Sequence, residues 1–126
     1  MVAEGLLYTK DHEWAKLEGK VATIGISDYA QEQLGELVYV ELPMAGGEFM
    51  QGKELAVVES SKAASDVYAP VTGKVTQVNS QLESKPELIN EDCYGKGWIC
   101  KMDVTDEASL KNLMESKQYE EYVKGL

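Results

Sequence analysis

Lys62 stands in the run Val58-Glu59-Ser60-Ser61-Lys62-Ala63-Ala64-Ser65-Asp66-Val67, between two stretches suited to strands, Leu55–Glu59 and Asp66–Val71. Small side chains surround one long amine, so nothing bulky shields it and the flanking strands hold it in place. An enzyme that must reach the ε-amine and attach a group to it would find it there. Two other readings stand beside this one. The residue could be an ordinary exposed turn lysine, or a Schiff-base amine, which needs a desolvated lysine in a pocket; the flanking sequence describes an exposed tip. His12 is the only histidine. No serine or cysteine nucleophile sits in a recognisable motif, so a catalytic triad is unsupported and His12 is expected to make a structural hydrogen bond near a strand start. Cys93 and Cys100 match neither a metal knuckle nor a redox pair and are expected to be reduced structural thiols.

Presenting a lysine requires a rigid support, and 126 residues suffice for a single domain, 1–126, with its own core. The chain carries 22 acidic against 12 basic residues, a net charge of −10, and no arginine, which argues against a nucleic-acid partner whose phosphates need neutralising. The same charge favours a soluble monomer and would speed encounter with partners bearing electropositive docking faces. The apolar stretches are too short for a membrane span. The N-terminus lacks the basic and apolar blocks of a signal peptide. The chain reads as cytoplasmic, or as a mitochondrial-matrix protein whose presequence has been removed.

Strand patterns come first along the chain. Leu7–Lys10, Glu13–Leu17 and Val21–Ile26 are expected strands, with Ala22, Ile24 and Ile26 alternating as a half-buried strand requires. A short helix follows, capped by Ser27 or Asp28, with Asp28 and Gln31 at capping-box spacing and Gly35 closing it. Glu36–Leu42 returns to period two, with Val38, Val40 and Leu42 on one face, and Pro43 and Gly46-Gly47 end it. Lys74–Asn79 and Trp98–Val104 complete the β set, and Ser80–Gly97 reads mostly as loop. From Thr105 the spacing predicts two short helices, with a phase slip near Ser116-Lys117, capping an open end of the β core. Gly35–Val40 weakly echoes Gly73–Val78, suggesting two similar halves folded against each other.

Four blocks, in order, resemble the glycine cleavage system H-protein family and span nearly the full chain. They are Tyr8-Thr9-Lys10-Asp11-His12-Glu13-Trp14, the segment from Gly25 to Pro43 containing Gly35-Glu36-Leu37-Val38-Tyr39-Val40-Glu41-Leu42, the segment Glu59–Gly73 around Lys62, and Leu88–Trp98. The resemblance implies a mainly β, lipoyl-domain-like barrel-sandwich hybrid with a short internal helix and C-terminal helices, the modified lysine at a hairpin tip. Gly46 and Gly73, sixteen residues before and eleven after Lys62, match the wider lipoyl-domain pattern and suit tight turns. Cys93 stands where the family often has proline, which would loosen that loop, and Cys100 where it usually has an aliphatic residue.

The resemblance further implies lipoic acid in amide linkage on Lys62, with Glu59 as a recognition element for the lipoylating enzyme, a lipoate ligase or lipoyl transferase. Glu13 and Trp14 would line the cleft that shelters the loaded arm, with Trp14 equally readable as a plain core residue. The chain would catalyse nothing itself. It would receive an aminomethyl group from glycine decarboxylase, a pyridoxal phosphate enzyme, and pass it to an aminomethyltransferase that uses tetrahydrofolate. Dihydrolipoamide dehydrogenase would then reoxidise the dithiol. Within the carrier class, a biotin carrier would flank the lysine with methionines, where this chain has Ser61 and Ala63. A lipoyl domain of a 2-oxo acid dehydrogenase would show aspartate before the lysine, and a lipoate relay donor to other lipoyl domains is a further role open to such a chain.

Overall fold

The computed structural model describes residues 1–126 as two antiparallel sheets folded around a shared apolar core. In chain order the elements are β1 (Leu7–Tyr8), β2 (Glu13–Glu18), β3 (Val21–Ile26), α1 (Asp28–Leu34), β4 (Leu37–Glu41), β5 (Glu48–Phe49), β6 (Glu54–Ser60) and β7 (Ala64–Tyr68). They continue with β8 (Thr72–Val78), α2 (Gln81–Ser84), α3 (Leu88–Glu91), β9 (Cys100–Asp106), a 3₁₀ helix (Glu107–Asn112), β10 (Met114–Glu115) and α4 (Ser116–Lys124). The larger sheet runs β10-β1-β2-β3-β9-β8-β5 and the smaller β4-β6-β7. The mainly β fold with an internal helix and a C-terminal helix is the expected one.

The core follows from period-two alternation: Ala22, Ile24 and Ile26 of β3, Val75 of β8 and Cys100, Met102 and Val104 of β9 point inward from the larger sheet. Leu37, Val40, Val58 and Val67 meet them from the smaller sheet. The echoing segments become β4 and β8, one in each sheet. Ser27 caps α1 by accepting a hydrogen bond from the Ala30 N–H at 3.3 Å. Asp28 and Gln31 do interact, but side chain to side chain at 2.8 Å rather than as a box closing on the backbone.

Several boundaries differ from the sequence pattern, each for a physical reason. In β4 the register slips between Leu37 and Tyr39, so Leu37 and Val40 are buried while Val38 is 59% exposed. A β-bulge has broken the strict alternation that would have turned Val38 inward. Ser80–Gly97 is not simply loop: Leu82, Leu88 and Ile89 anchor two one-turn helices in the core. Beyond Thr105 the two expected helices are a 3₁₀ helix and α4, separated by β10, whose Met114 pairs with Tyr8. The phase slip marks that strand and the new helix start at Glu115, which forms a capping box with Gln118. Gly73 lies in a strand, not a turn: a β carbon there would meet the Asp103 carbonyl oxygen at 2.0 Å. Gly46 does occupy a turn, at φ +92°.

A second apolar cluster, Leu6, Tyr8, Trp14 and Tyr119, fastens α4 to the body. Tyr119 stacks on Tyr8 with ring centroids 4.3 Å apart, and its hydroxyl bonds His12 Nδ1 and Ser27 Oγ, each at 2.7 Å. His12 takes the left-handed conformation, φ 73°, in the turn between β1 and β2 and makes the structural bond expected of it. Burial holds its imidazole below the usual histidine range. Cys93 and Cys100 are free and buried, their thiols pushed up to about 12 by desolvation, so both are inert packing groups. The Cys93 loop is held firmly: Asp92 accepts from the N–H groups of Gly95, Lys96 and Gly97, and Asn79 donates to the carbonyls of Lys96 and Trp98.

Candidate functional site

β6 and β7 form one hairpin, registered Val57↔Asp66, Val58↔Ser65 and Glu59↔Ala64, with Lys62 at its tip. The turn is closed by Ser60. Its N–H donates to the Ala63 carbonyl at 2.8 Å, while its hydroxyl accepts from the N–H groups of Lys62 and Ala63 at 3.4 and 3.2 Å. A serine bonding its own backbone two and three residues on is a local turn device. Serine at that position is the signal that could have marked it. Ser61, Lys62, Ala63, Ala64, Ser65 and Asp66 are all exposed. Lys62 makes no ion pair. The tip therefore offers a primary amine on a hydrogen-bonded turn, with no pocket to desolvate it, which disfavours the Schiff-base chemistry.

Gly35, the C-terminal cap of α1, lies beneath this lysine: a β carbon added there would stand 3.6 Å from Lys62 Cε. Nothing in the sequence relates these two positions, because only the packing of α1 and β4 beside the hairpin joins them. Glu59 is half-buried at the end of β6, paired with Ala64 on one side and Tyr39 of β4 on the other.

Glu13 and Trp14 separate. Trp14 is 1% exposed and stacked over Gly25, where a β carbon would approach its ring to 2.5 Å. Its Nε1–H donates to the carbonyls of Ile26 and Cys93 at 3.0 and 3.1 Å. It is a core residue and does not line a cleft surface. Of the two readings open for Trp14 the structure takes the core one: β2 is buried on both faces here, and its indole joins the second apolar cluster while Ala15 joins the main core. Glu13 is also 1% exposed and lies at the back of a cleft of about 170 Å³ walled by Thr9, Lys10, Asp11, Gln51, Tyr68 and Asn112. Its carboxylate accepts from the Tyr68 N–H at 3.0 Å and from the Thr9 hydroxyl. Desolvation outweighs those bonds and pushes its pKa up to about 7. Tyr68 ends β7, so the strand that begins beside Lys62 finishes against Glu13.

A two-sheet β sandwich that presents one lysine on a serine-clasped hairpin defines a carrier domain of the lipoyl type. The sequence matches the family described as "Glycine cleavage H-protein" over residues 6–126. It is 52% identical over 115 residues to a glycine cleavage system H protein of Thermotoga maritima, covering 91% of this chain and 93% of that one. To the H protein of Alkaliphilus oremlandii it is 53% identical over 118 residues, covering 94% and 92%. The crystal structure of a glycine cleavage system H protein from Mycobacterium marinum superposes with a TM-score of 0.88 at 33% identity, over 99% of this chain and 100% of that one. The chain belongs to the glycine cleavage H-protein family. Its function is that of a lipoyl carrier in the glycine cleavage system, and it is a carrier component rather than a catalyst.

Proposed function

We propose that Lys62 is the residue that receives lipoic acid, through an amide at Nζ, and that Glu59 is read by the enzyme attaching it. The observation that carries this is the exposed amine on a turn whose shape is set by Ser60. Attachment is an acyl transfer. The neutral amine attacks the carbonyl carbon of an activated lipoyl donor, the bond to the leaving group breaks, and nitrogen releases a proton. Once bound, lipoate supplies a redox-active dithiolane that no side chain of this protein can offer. The protein supplies position. Ser60 fixes the turn, and the flanking strands hold it.

The same reading gives the partners: glycine decarboxylase, an aminomethyltransferase and dihydrolipoamide dehydrogenase, each meeting the arm in turn, and a lipoate ligase or lipoyl transferase that loads it. A cytoplasmic or mitochondrial-matrix setting accords with the reduced thiols. In-vitro lipoylation followed by peptide mapping tests the site. Modification is expected on Lys62 alone, and Glu59→Gln is expected to slow it at subsaturating protein while leaving the finished carrier active. Unchanged rates would make Glu59 a solvated strand-end carboxylate. Modification of Lys53 or Lys74 would overturn the site.

Glu13 is proposed as the end-stop of the arm cleft. A carboxyl whose pKa burial has raised to about 7 is poised to ionise when a cationic amine enters beside it. The raised value has a consequence for stability. The folded state keeps Glu13 protonated to higher pH than the unfolded chain does, so its contribution is fully present below about pH 4.5 and is lost as pH rises through about 7. The full shift corresponds to roughly 3 kcal/mol. Urea unfolding of Glu13→Gln at pH 5 and pH 8 is expected to show a shallower loss of stability with rising pH than the unsubstituted protein shows. An identical slope would mean that Glu13 is already ionised throughout.

A further inference from the structure

Two consecutive residues on β4, Val38 and Tyr39, are 59% and 51% exposed, although the strand belongs to the smaller sheet of the core. The register slip explains this. Leu37 pairs with Ser60 and Tyr39 with Glu59, leaving Val38 as the extra residue without a cross-strand partner. The bulge thus frees two apolar side chains on an edge strand, immediately beside the residue that closes the Lys62 turn. Bulges recur next to functional sites, where they re-aim side chains. Tyr39 continues into a shallow groove of about 370 Å³ that also takes in Leu42, Pro43 and Glu83.

The surroundings are acidic. Glu32 on α1, Glu41 on β4 and Glu36 between them are exposed, and Glu59 flanks Tyr39. The segment itself carries no lysine or arginine between Lys20 and Lys53, so Lys62 is the cation placed beside it. An apolar centre with an acidic rim matches the usual anatomy of a docking patch whose partner carries an apolar pocket ringed by basic residues. Tyrosine is among the residues that most often anchor such contacts.

We propose that Val38 and Tyr39 form the docking face for the enzyme that acylates Lys62, a partner with an apolar pocket and a basic rim. The proposal rests on Lys62 being the attachment site. Distance selects this occupant over the other enzymes of the system. The acylating enzyme must draw Nζ itself to its activated acyl donor, so its surface must cover residues packed against the turn. Enzymes acting later address the far end of the arm and have no need of contacts at its root.

The test is steady-state lipoylation of Val38→Thr/Tyr39→Thr by the protein's own lipoylating enzyme. Threonine keeps strand propensity while removing the apolar surface. We expect KM for the carrier to rise about tenfold or more with kcat at saturation unchanged. Tyr39→Phe should keep near wild-type KM. The double variant, lipoylated to completion at high enzyme concentration, should support glycine cleavage like wild type. If the double variant does not fold, Tyr39→Thr alone is expected to show the same KM rise in smaller measure. An unchanged KM, or normal lipoylation with impaired glycine decarboxylation, overturns the docking face. Failure of wild-type Lys62 to be acylated overturns the attachment site and the docking face together.

Discussion

Lys62→Ala is expected to abolish both lipoylation and carrier activity while leaving the fold in place. Lys62 is exposed, and the bonds that hold its turn come from Ser60 and backbone groups, so truncation opens no cavity. Stability should change by no more than about 0.5 kcal/mol. Lys62→Arg should be equally inactive, because a guanidinium keeps the charge but is a far poorer acyl acceptor at neutral pH. The measurement is glycine cleavage reconstituted with the other three enzymes, alongside intact mass before and after lipoylation. Full activity from Lys62→Ala would remove the lysine from the centre of the function.

Trp14→Ala is the substitution expected to damage the fold most. The indole is buried, spans the second apolar cluster, and satisfies the carbonyls of Ile26 and Cys93. Losing it should cost about 3–5 kcal/mol from the cavity alone, with two buried carbonyls left without their donor. Against a typical domain stability of about 5–15 kcal/mol, that approaches the threshold for folding. Trp14→Phe, which keeps an aromatic ring but removes the donor, should cost less than half as much. Urea denaturation checks both. A near-wild-type midpoint for Trp14→Ala combined with lost carrier activity would return Trp14 to the arm surface.

The contrast between Lys62 and Trp14 separates what local sequence conveys from what it does not. Lys62 was legible because presentation is a local property: two strand patterns and small neighbours around one amine are written within ten residues, while the Ser60 clasp emerged only from the structure. The larger β set, the α1 cap at Ser27, the closure at Gly35 and the structural role of His12 were legible for the same reason. Alternation and capping depend on near neighbours.

Tertiary structure decided the rest. Glu13 and Trp14 are adjacent in sequence and equally buried, yet the pleat turns them to opposite faces of β2, the carboxylate behind a cleft and the indole into the second apolar cluster. Gly73 looked like a turn residue, but its cause is the Asp103 carbonyl on the neighbouring strand β9. The exposure of Val38 comes from a slip against β6 that no pattern within β4 reveals. The segment Ser80–Gly97 became helical because Leu82, Leu88 and Ile89 found a core contributed by distant strands. Sequence by itself determined which residue is presented and the kind of scaffold that presents it. Which groups surround that residue is a matter of contacts between segments far apart in the chain, and only the packed fold creates those.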